Sequence, residues 1–352
     1  MKPKVTVLTC VYNGMPFLKE AIDSVLNQTY SNFVYLIIDD ASPDIKVTQL
    51  IESYDDARIK LVKNDKNLGV SNTFNKALQL IKTPYVVRLD QDDISLPHRI
   101  EKQINFLENN SNIDIVCSWE YTINANGKIT GRWKRSLENY GSFLGYVLIG
   151  ICPIWHPSIA FKTKSMLDAG GFDIEYTRAE DFEVTARLAT KRYNAAILNE
   201  YLLLQRQHDN SQSVEFNDLQ ADVSRRIHQE VIENFSNHIN LDMLGNFLRL
   251  EQKCNNIKLT KANIVKINEA LKDLIKNITE KQRLSNNELK SLKKVIYLRV
   301  GLGIRYSQVL TKLPAIVFYP AYYLLSPLQS NVLRNFASQT YRNFIQFLYT
   351  FK

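Results

Sequence analysis

The residues Arg88-Leu89-Asp90-Gln91-Asp92-Asp93 place three carboxylates within four positions, directly after the apolar run Pro84-Tyr85-Val86-Val87. Carboxylates at this spacing repel one another, so a protein that holds them at the end of a buried strand must neutralise them with a divalent metal, a basic partner or water. The alternative is an acidic turn that is simply solvated. The surrounding segments decide which interpretation is better.

The composition describes a folded protein large enough for one sizeable core and an appendage, because 45% of its 352 residues are hydrophobic and 23% are charged. The four cysteines are scattered without CxxC spacing, which predicts reduced, buried thiols in a cytosolic protein. No long apolar run separates Met1 from the β-branched run at residues 4–9. A cleaved signal peptide is therefore not expected.

The basic excess lies near the C-terminus. The net charge is +8, and the sequence after Glu288 contains nine Lys or Arg residues and no Asp or Glu. The near-neutral remainder argues against nucleic-acid binding by the core, whereas the basic tail favours an anionic membrane surface. Residues 313–333 are uncharged but interrupted by three prolines, which predicts an interfacial segment rather than a transmembrane helix. A homo-oligomer interface is the alternative.

Apolar runs alternate with helical periodicity in the first part of the chain. Runs at 4–9, 33–38, 58–62 and 84–89 predict strands, and the apolar spacing between them predicts helices. Strands that are buried on both faces and joined by helices predict an α/β fold with a parallel, doubly wound sheet. Ligands of such sheets bind at the carboxyl ends of the strands.

Polar residues follow each of these predicted strands. The polar segments are Tyr12-Asn13-Gly14, Asp39-Asp40, Asn67-Leu68-Gly69 and the acidic residues 90–93. We therefore expect one crevice to collect them. Neither GxGxxG nor GxxxxGK[ST] occurs, which disfavours the usual dinucleotide-binding and P-loop sites.

Four segments taken together resemble the nucleotide-binding half of family-2 glycosyltransferases, which are nucleotide-sugar enzymes. The segments are residues 5–13, Asp39-Asp40-Ala41-Ser42, Asn67-Leu68-Gly69-Val70, and residues 88–93 followed by Leu96-Pro97-His98-Arg99-Ile100. The resemblance covers residues 3–215. It implies the A-type glycosyltransferase fold, a Rossmann-like, mostly parallel sheet with helices on both faces, followed here by a C-terminal helical region.

The resemblance implies a donor site at the DxD element Asp90-Gln91-Asp92, which in this family coordinates Mn²⁺ or Mg²⁺ on the donor diphosphate. Asp92 is then the metal ligand, and Asp90 lies nearer the ribose. Oxygen ligands suit a hard cation, and a metal on two phosphates stabilises the departing nucleoside diphosphate. Asp93 either caps a helix that begins at Pro97 or hydrogen-bonds within the turn.

The same resemblance implies that Asp40 accepts a hydrogen bond from the N3–H group of uracil. This favours a UDP-sugar, because cytosine has no such donor. Asp39 is then structural. The other residues implied to line the nucleotide are Thr9, Cys10, Val11, Tyr12, Asn67 and Gly69. Tyr12 either stacks on the base or packs beside it, and Gly69 is equally compatible with a helix-entry turn.

Inverting glycosyl transfer needs a carboxylate opposite the leaving group to take the proton of the acceptor hydroxyl. The family has this base in the pair Glu180-Asp181. The motif makes Asp181 the base, and Glu180 either orients the acceptor or is the alternative base. Acids at a helix N-terminus are also ordinary capping residues. Arg178 either keeps the pair ionised or is a surface side chain.

Two further segments resemble the family. Gln205-Arg206-Gln207-His208 and the residues up to Ser213 resemble a loop that closes over the diphosphate, which implies His208 as a metal ligand and Arg206 or Ser213 as phosphate contacts. A plain connector has a similar composition. Trp155-His156-Pro157-Ser158 implies an acceptor contact by Trp155 and His156, although a His beside Trp and Pro is also an ordinary hydrogen-bonded structural residue.

The expected protein is a metal-dependent, inverting glycosyltransferase at the cytoplasmic face of a membrane. It moves a sugar from a nucleotide-sugar donor to a saccharide or lipid-linked acceptor in cell-surface polysaccharide synthesis. Residues 1–215 form the predicted catalytic domain, 216–288 a helical appendage and 289–352 the basic tail. A sugar nucleotidyltransferase is disfavoured because Tyr12-Asn13-Gly14-Met15-Pro16 lacks a basic residue. The intact acids disfavour a non-catalytic scaffold.

Overall fold

The computed structural model describes residues 2–176, 178–208, 217–236 and 261–306. The strands of these residues are β1 Val5–Val11, β2 Phe33–Asp39, β3 Ile59–Lys63, β4 Tyr85–Arg88, β5 Ile94–Ser95, β6 Ile115–Ile123, β7 Ile129–Trp133, β8 Ala160–Lys162 and β9 Ala195–Arg206. The helices are α1 Leu18–Leu26, α2 Ile45–Glu52, α3 Val70–Leu80, α4 Arg99–Asn109, α5 Tyr140–Leu148, α6 Thr163–Ala169, α7 Glu180–Thr190, α8 Asn217–Glu233, α9 Lys261–Gln282 and α10 Asn286–Tyr306. A 3-10 turn spans His156–Ser158.

The first half of the sheet is parallel, as the alternation of apolar runs predicted. β1 pairs with β2 on one side and with β4 on the other, and β3 extends the sheet beyond β2. Because Val11 pairs with Asp39 and Leu8 pairs with Arg88, the carboxyl ends of these strands reach the same edge. The polar segments that were expected to share a crevice therefore follow strands that end together.

The second half of the sheet is mixed. β8 is antiparallel to β4, β6 is antiparallel to β8, and β9 runs parallel to β6. β6 and β7 form a hairpin whose turn is Asn124-Ala125-Asn126-Gly127-Lys128. β5, which pairs antiparallel with β9, was not predicted, because two residues are too few to show a periodicity.

Two apolar clusters lie on opposite faces of the sheet, because successive residues of a strand point to opposite sides. In β2, Tyr35 and Ile37 face the cluster covered by α1, α2 and α4, whereas Leu36 and Ile38 face the cluster covered by α3 and by α5 to α7. Burial on both sides explains why the sequence shows continuous apolar runs rather than alternation.

The helices after β9 share the second of these clusters. Ile227 of α8, Leu271 of α9 and Leu292 of α10 are buried in the same cluster as Phe143 of α5. α10 is continuous across residues 288 and 289, between which the sequence interpretation divided the appendage from the tail. Residues 237–260 of the predicted helical appendage and the uncharged segment 313–333 lie outside the described residues. Among the helices of the described ranges, none has the length and apolar content needed to cross a membrane.

α10 lies very close to α5 at Gly141. A Cβ atom added to Gly141 would stand 1.9 Å from the carbonyl oxygen of Glu288, so no larger residue fits without a shift of the backbone. Asn139, which caps α5, donates from Nδ2 to Ser291 Oγ at 3.0 Å. The glycine therefore lets a helix of the C-terminal region dock directly on the α/β core.

Gly141→Ala is expected to lower the free energy of unfolding by about 1–3 kcal/mol, because the added methyl group forces α10 away from α5. Gly131→Ala is the matched control, since its added Cβ would have Thr122 Oγ1 as its nearest neighbour at 3.5 Å. Urea unfolding followed by circular dichroism measures both variants. Equal stability of Gly141→Ala and the wild type would show that the close contact is absent.

Candidate active site

The end of β1 is tied to the acidic turn by the side chain of Gln91. Gln91 accepts a hydrogen bond from the backbone nitrogen of Tyr12 at 2.8 Å and donates to the carbonyl oxygen of Tyr12 at 3.0 Å. Tyr12 is 43% exposed, so its ring is accessible to a ligand. Thr9 is buried and its hydroxyl lies 3.2 Å from that of Tyr35, so a contact of Thr9 with a nucleotide would involve its backbone.

The described cysteines are free thiols, as expected from their scattered positions, and Cys254 lies outside the described residues. Burial raises the pKa of Cys10, and the charges of Asp90 and Asp40 raise it further. Cys10 is therefore close to both the acidic turn and the end of β2. Its neighbour Val11 accepts a hydrogen bond from the backbone nitrogen of Asp40 at 2.8 Å, which joins the ends of β1 and β2.

Asp39 closes the turn after β2, in agreement with the structural role expected for it. Its Oδ1 accepts a hydrogen bond from the backbone nitrogen of Ser42 at 2.9 Å, and its Oδ2 accepts from Thr48 Oγ1 at 3.0 Å. The cap of α2 is Asp44, whose carboxylate accepts from the backbone nitrogen of Lys46 at 2.9 Å. Both acids therefore serve the local fold.

Asp40 holds the loop that follows β3. Its Oδ1 accepts hydrogen bonds from Asn64 Nδ2 at 2.7 Å and from the backbone nitrogen of Leu68 at 2.9 Å. Its Oδ2 accepts from the backbone nitrogen of Gly69 at 2.9 Å, and Asn67 Oδ1 accepts from that same nitrogen at 2.9 Å. Since each carboxylate oxygen has two lone pairs, one acceptor position on Asp40 Oδ2 remains for a ligand.

Arg88 and Asp90 form an ion pair at the end of β4. Arg88 donates from Nε to Asp90 Oδ1 at 2.7 Å and from Nη2 to Asp90 Oδ2 at 3.2 Å. Its guanidinium also lies over the ring of Phe74, 4.7 Å from the centroid. Burial by itself would lower the pKa of Arg88, but the charges of Asp90 and Glu180 raise it. Arg88 therefore stays positively charged beside the acidic turn.

Asp92 faces His208, a residue 116 positions away in the sequence. Asp92 Oδ2 lies 3.0 Å from His208 Nε2, and the imidazole packs against the ring of Phe17 with 5.0 Å between the centroids. Burial raises the pKa of Asp92, and the charge of Asp90 raises it further. The two side chains that the resemblance implied as metal ligands are thus adjacent.

Asp93 does not cap α4, which was one of the two roles expected for it. α4 begins at Arg99, and the residue at its N-cap, His98, makes no capping hydrogen bond through its side chain. Asp93 Oδ1 instead accepts from the backbone nitrogen of Arg206 at 2.8 Å, while its own nitrogen donates to the carbonyl oxygen of Asp90 at 3.3 Å. Burial raises the pKa of Asp93 well above its ordinary value. Asp93 therefore joins the acidic turn to the end of β9.

Glu180 and Asp181 open α7, and both have raised pKa values. Burial raises the pKa of Glu180 to about 7, with a further contribution from the charge of Asp181. Burial also raises the pKa of Asp181, whose Oδ1 accepts from the backbone nitrogen of Phe182 at 2.7 Å. The charges of Arg88 and Asp90 act on both acids. The acidic turn and the acidic pair therefore share one electrostatic environment.

His156 packs inside the protein, because it is only 3% exposed. Its Nε2 lies 3.1 Å from Thr185 Oγ1 on α7, and its ring lies against the edge of the Phe172 ring. Burial lowers the pKa of His156 well below its ordinary value, so the imidazole is neutral. These contacts match the structural alternative and hold the 3-10 turn against α7. Trp155 packs on Trp133 of β7 with ring centroids 5.4 Å apart.

Arg206 is engaged by protein oxygen atoms, which differs from the phosphate contact expected for it. Its side chain is 1% exposed, and its guanidinium donates to Glu20 Oε2 at 2.7 Å and to the carbonyl oxygen of Asp92 at 3.0 Å. Sequence spacing could not show this burial, because Arg206 ends a strand whose neighbours are far away in the chain. Ser213 lies outside the described residues.

Residues 6–168 match the family model for glycosyl transferase family 2. An uncharacterized glycosyltransferase of Methanocaldococcus jannaschii is 35% identical to the chain over 205 residues, which make up 57% of this chain and 70% of that protein. The chain belongs to glycosyl transferase family 2. An uncharacterized glycosyltransferase of Haemophilus influenzae is 30% identical over 251 residues, or 68% of this enzyme and 77% of that protein.

Two further proteins are similar to this glycosyltransferase, one in sequence over about half of the chain and one in fold. The UDP-Gal:alpha-D-GlcNAc-diphosphoundecaprenol beta-1,3-galactosyltransferase of Escherichia coli is 29% identical over 177 residues, which are 49% of this chain and 64% of that protein. The crystal structure of S. aureus TarS in complex with UDP-GlcNAc superposes with a TM-score of 0.57 at 16% identity, and it covers 84% of this chain and 90% of that one. At that identity the likeness concerns the fold, and it agrees with the expected A-type glycosyltransferase fold.

Arg88 is the site residue of this glycosyltransferase that the sequence interpretation missed. It opposes the rise in the pKa of Glu180 and Asp181, a role for which the sequence offered Arg178. Part of the signal is local, because Arg88 ends β4 two positions before Asp90 and donates to its carboxylate from Nε. Its effect on α7 had no local signal.

The residues around Asp92 fit a cation that is shared with a substrate rather than held by protein alone. Within the described ranges, no group of three or more His, Cys, Asp and Glu side chains is arranged to hold a metal ion. A magnesium-type cation in a nucleotide site, however, needs only one or two protein carboxylates when phosphate oxygens complete its shell. Asp92 and His208 supply one carboxylate and one imidazole.

The glycosyltransferase activity is expected to fall on the acid side of about pH 7. Because the pKa of Glu180 is raised to about 7, its carboxylate is progressively protonated as the pH drops through that value. A reaction that needs this carboxylate ionised then loses kcat/KM by about tenfold for each pH unit. Glu180→Gln should move the acid limb of the profile to lower pH. An unchanged acid limb in Glu180→Gln would assign that limb to another group.

Proposed function

We propose that this family-2 glycosyltransferase transfers a sugar from a UDP-sugar to a saccharide or lipid-linked acceptor with inversion, in the synthesis of a cell-surface polysaccharide. The observation that carries the proposal is that one cation, Arg88, interacts with two acidic groups. These are the acidic turn after β4 and the pair Glu180-Asp181 at the start of α7. One group is suited to the donor diphosphate with its cation, and the other to the removal of a proton.

The donor nucleoside is assigned to the ends of β1 and β2. The remaining lone pair of Asp40 suits the N3–H group of uracil, and the exposed ring of Tyr12 suits a flat base. The backbone of residues 9–11, with Asn67 and Gly69, would line the rest of the nucleotide. A uridine donor agrees with two similar proteins, since the E. coli relative is named for UDP-Gal and the TarS crystal structure contains UDP-GlcNAc.

Asp92 and His208 are assigned to a Mn²⁺ or Mg²⁺ ion on the donor diphosphate. When bound, this cation offsets the negative charge that develops on the departing diphosphate. The chain itself contributes the orientation of the ligands: His208 is packed on Phe17, and Asp92 is held in a turn whose neighbours Asp90 and Gln91 are both engaged by protein groups. Asp90, which is paired with Arg88, is assigned a place nearer the ribose.

Asp181 is assigned as the general base. It takes the proton of the acceptor hydroxyl as that oxygen attacks the anomeric carbon, and the bond to the diphosphate breaks in the same displacement, which inverts the configuration. Its hydrogen bond from the Phe182 nitrogen, at 2.7 Å, fixes the direction of the carboxylate. Glu180, once ionised, orients the acceptor. Trp155 borders the acceptor side, and His156 supports α7 through Thr185.

The C-terminal region is assigned to the membrane. The E. coli relative is named for a lipid-linked acceptor, GlcNAc-diphosphoundecaprenol. The nine basic residues after Glu288 would hold the enzyme at an anionic cytoplasmic surface. We assign residues 1–215 to catalysis, 216–288 to a helical region and 289–352 to this tail, for which an interface between copies of the chain is the alternative.

Asp181→Asn is expected to lower kcat by about 10²–10⁴-fold, because it removes the base while keeping the shape of the side chain. The affinity for UDP should stay close to that of the wild type, because the base contacts the acceptor rather than the nucleotide. Release of UDP from a panel of UDP-sugars measures turnover, and titration calorimetry measures UDP binding.

Asp168→Asn provides the matched control for Asp181→Asn. It makes the same chemical change at an exposed helical position that pairs with Lys164, and it should leave turnover unchanged. Full transfer by Asp181→Asn at saturating donor and Mn²⁺ would remove Asp181 as the base. A loss shared equally by both variants would indicate a general effect of the substitution.

UDP is expected to bind about 5- to 150-fold more tightly than CDP. A buried carboxylate that faces the N3 acceptor of cytosine lacks its hydrogen bond, and such a loss costs about 1–3 kcal/mol. Calorimetric titration of both nucleotides with the same Mn²⁺ concentration measures the ratio. Equal affinities would contradict the contact assigned to Asp40.

A further inference from the structure

Arg206, the last residue of β9, is a buried cation that contacts three separate parts of the protein. Its side chain is 1% exposed, whereas that of its ionic partner Glu20 on α1 is 56% exposed. Nη2 donates to Glu20 Oε2 at 2.7 Å, and Nη1 donates to the carbonyl oxygens of Asn124 at 3.3 Å and Ala125 at 3.1 Å in the β6–β7 turn. Arg206 thus joins α1 to that hairpin.

The third part is the acidic turn, which Arg206 holds at two consecutive residues. The backbone nitrogen of Arg206 donates to Asp93 Oδ1 at 2.8 Å, and its Nε donates to the carbonyl oxygen of Asp92 at 3.0 Å. A hydrogen bond to the carbonyl of Asp92 restricts the rotation of that peptide. It therefore restricts the direction in which the Asp92 side chain leaves the turn.

Arg206 also supports the residue that faces Asp92. Its guanidinium lies over the ring of Phe17, 4.4 Å from the centroid, and the same ring packs against the imidazole of His208. Arg206 and His208 are two positions apart at the end of β9. One buried arginine is therefore in contact with the peptide of Asp92 and with the ring that supports His208.

We propose that Arg206 is a positioning residue, which sets the distance and direction between Asp92 and His208. This inference rests on the metal role assigned to those two residues in the proposed function. It differs from a direct phosphate contact, since the guanidinium already donates to four protein oxygen atoms, those of Asp92, Asn124, Ala125 and Glu20. These bonds use four of the five N–H groups of the guanidinium, and the side chain is only 1% exposed, which leaves a phosphate little access to it.

Lysine cannot reproduce this arrangement. An arginine has five N–H groups in a rigid, planar fork, whereas a lysine ammonium is a point charge with three donors on a flexible stem. Arg206→Lys therefore keeps the positive charge, and with it any general attraction for a diphosphate, but loses the geometry that fixes the Asp92 peptide.

The test compares the affinity for UDP measured by calorimetry with Mn²⁺ and with EDTA. In Arg206→Lys, the gain in UDP affinity from Mn²⁺ should fall by about 10- to 100-fold, as is typical when a residue that orients a metal ligand is changed. The affinity in EDTA should stay at the wild-type value. In an Asp92→Ala background, Arg206→Lys should have no further effect, because it acts through Asp92.

The matched control is Arg58→Lys. Arg58 has the same kinds of contact, with the carboxylate of Asp56, the carbonyl oxygen of Leu26 and the ring of Phe33, but next to β3 and the start of β2, away from the acidic turn. Arg58→Lys should leave the Mn²⁺-dependent gain unchanged. If Arg206→Lys does not fold, Glu20→Gln tests the same contact from its exposed end, and it should reduce the gain in the same direction by a smaller factor.

If Arg206→Lys lowered the affinity for UDP in EDTA by the same factor as in Mn²⁺, the inference would be wrong. Arg206 would then be assigned to direct phosphate binding. So would a full Mn²⁺-dependent gain in Arg206→Lys when Asp92→Ala abolishes it. Failure of the proposed function gives a different result, because the wild type would then show no gain from Mn²⁺, or Asp92→Ala would retain it.

Discussion

The ion pair between Arg88 and Asp90 is the interaction on which the candidate site depends. The charge of Asp90 acts on three other acids, Asp92, Glu180 and Asp181, and burial already raises the pKa of each of these three. Arg88, at the end of β4, lowers the pKa of Glu180 and Asp181, and the charges of Asp90 and Glu180 raise its own pKa. This cation pairs directly with Asp90 and opposes the rise in the pKa of Glu180 and Asp181. The same cation therefore serves the donor side and the acceptor side.

The fold maintains this charge at some cost to its own hydrogen bonding. Among the described residues, buried polar atoms without a hydrogen-bond partner include Arg88 Nη1, Asp93 Oδ2, Arg99 Nη1 and both carboxylate oxygens of Glu120. Burial raises the pKa of Glu120 to about 9, so this acid is neutral at ordinary pH. Arg99, which is fully buried, donates to the carbonyl oxygen of Arg88 at 2.5 Å and ties β4 to α4. Buried polar groups of this kind lower stability, and they are gathered here around the strands that carry the site.

Arg206 and Arg88 have roles in the structure that differ from those suggested by their positions in the sequence. Arg206 belongs to a segment that resembles a phosphate-binding loop, yet its side chain is buried against Glu20, Phe17 and the carbonyl oxygen of Asp92. Arg88 attracted no assignment, although the charges that act on Glu180 and Asp181 include its own. His156 follows the same pattern, since its contact with Thr185 makes it a support for α7. In each case the decisive partner lies on a different element.

The sequence alone determined the strands and helices of the first half, the position of the acidic residues at strand ends, and the family, because periodicity and turn residues report local burial. The adjacency of Asp40, Asp90 and Tyr12 at one edge also followed, since parallel strands end together. The tertiary structure decided the mixed second half of the sheet and the short β5. It also decided the direct contact between Asp92 and His208, which the family resemblance implied only as two ligands of one ion, and the influence of Arg88 on α7. These contacts join residues far apart in the chain, and neither partner changes the local sequence pattern around the other.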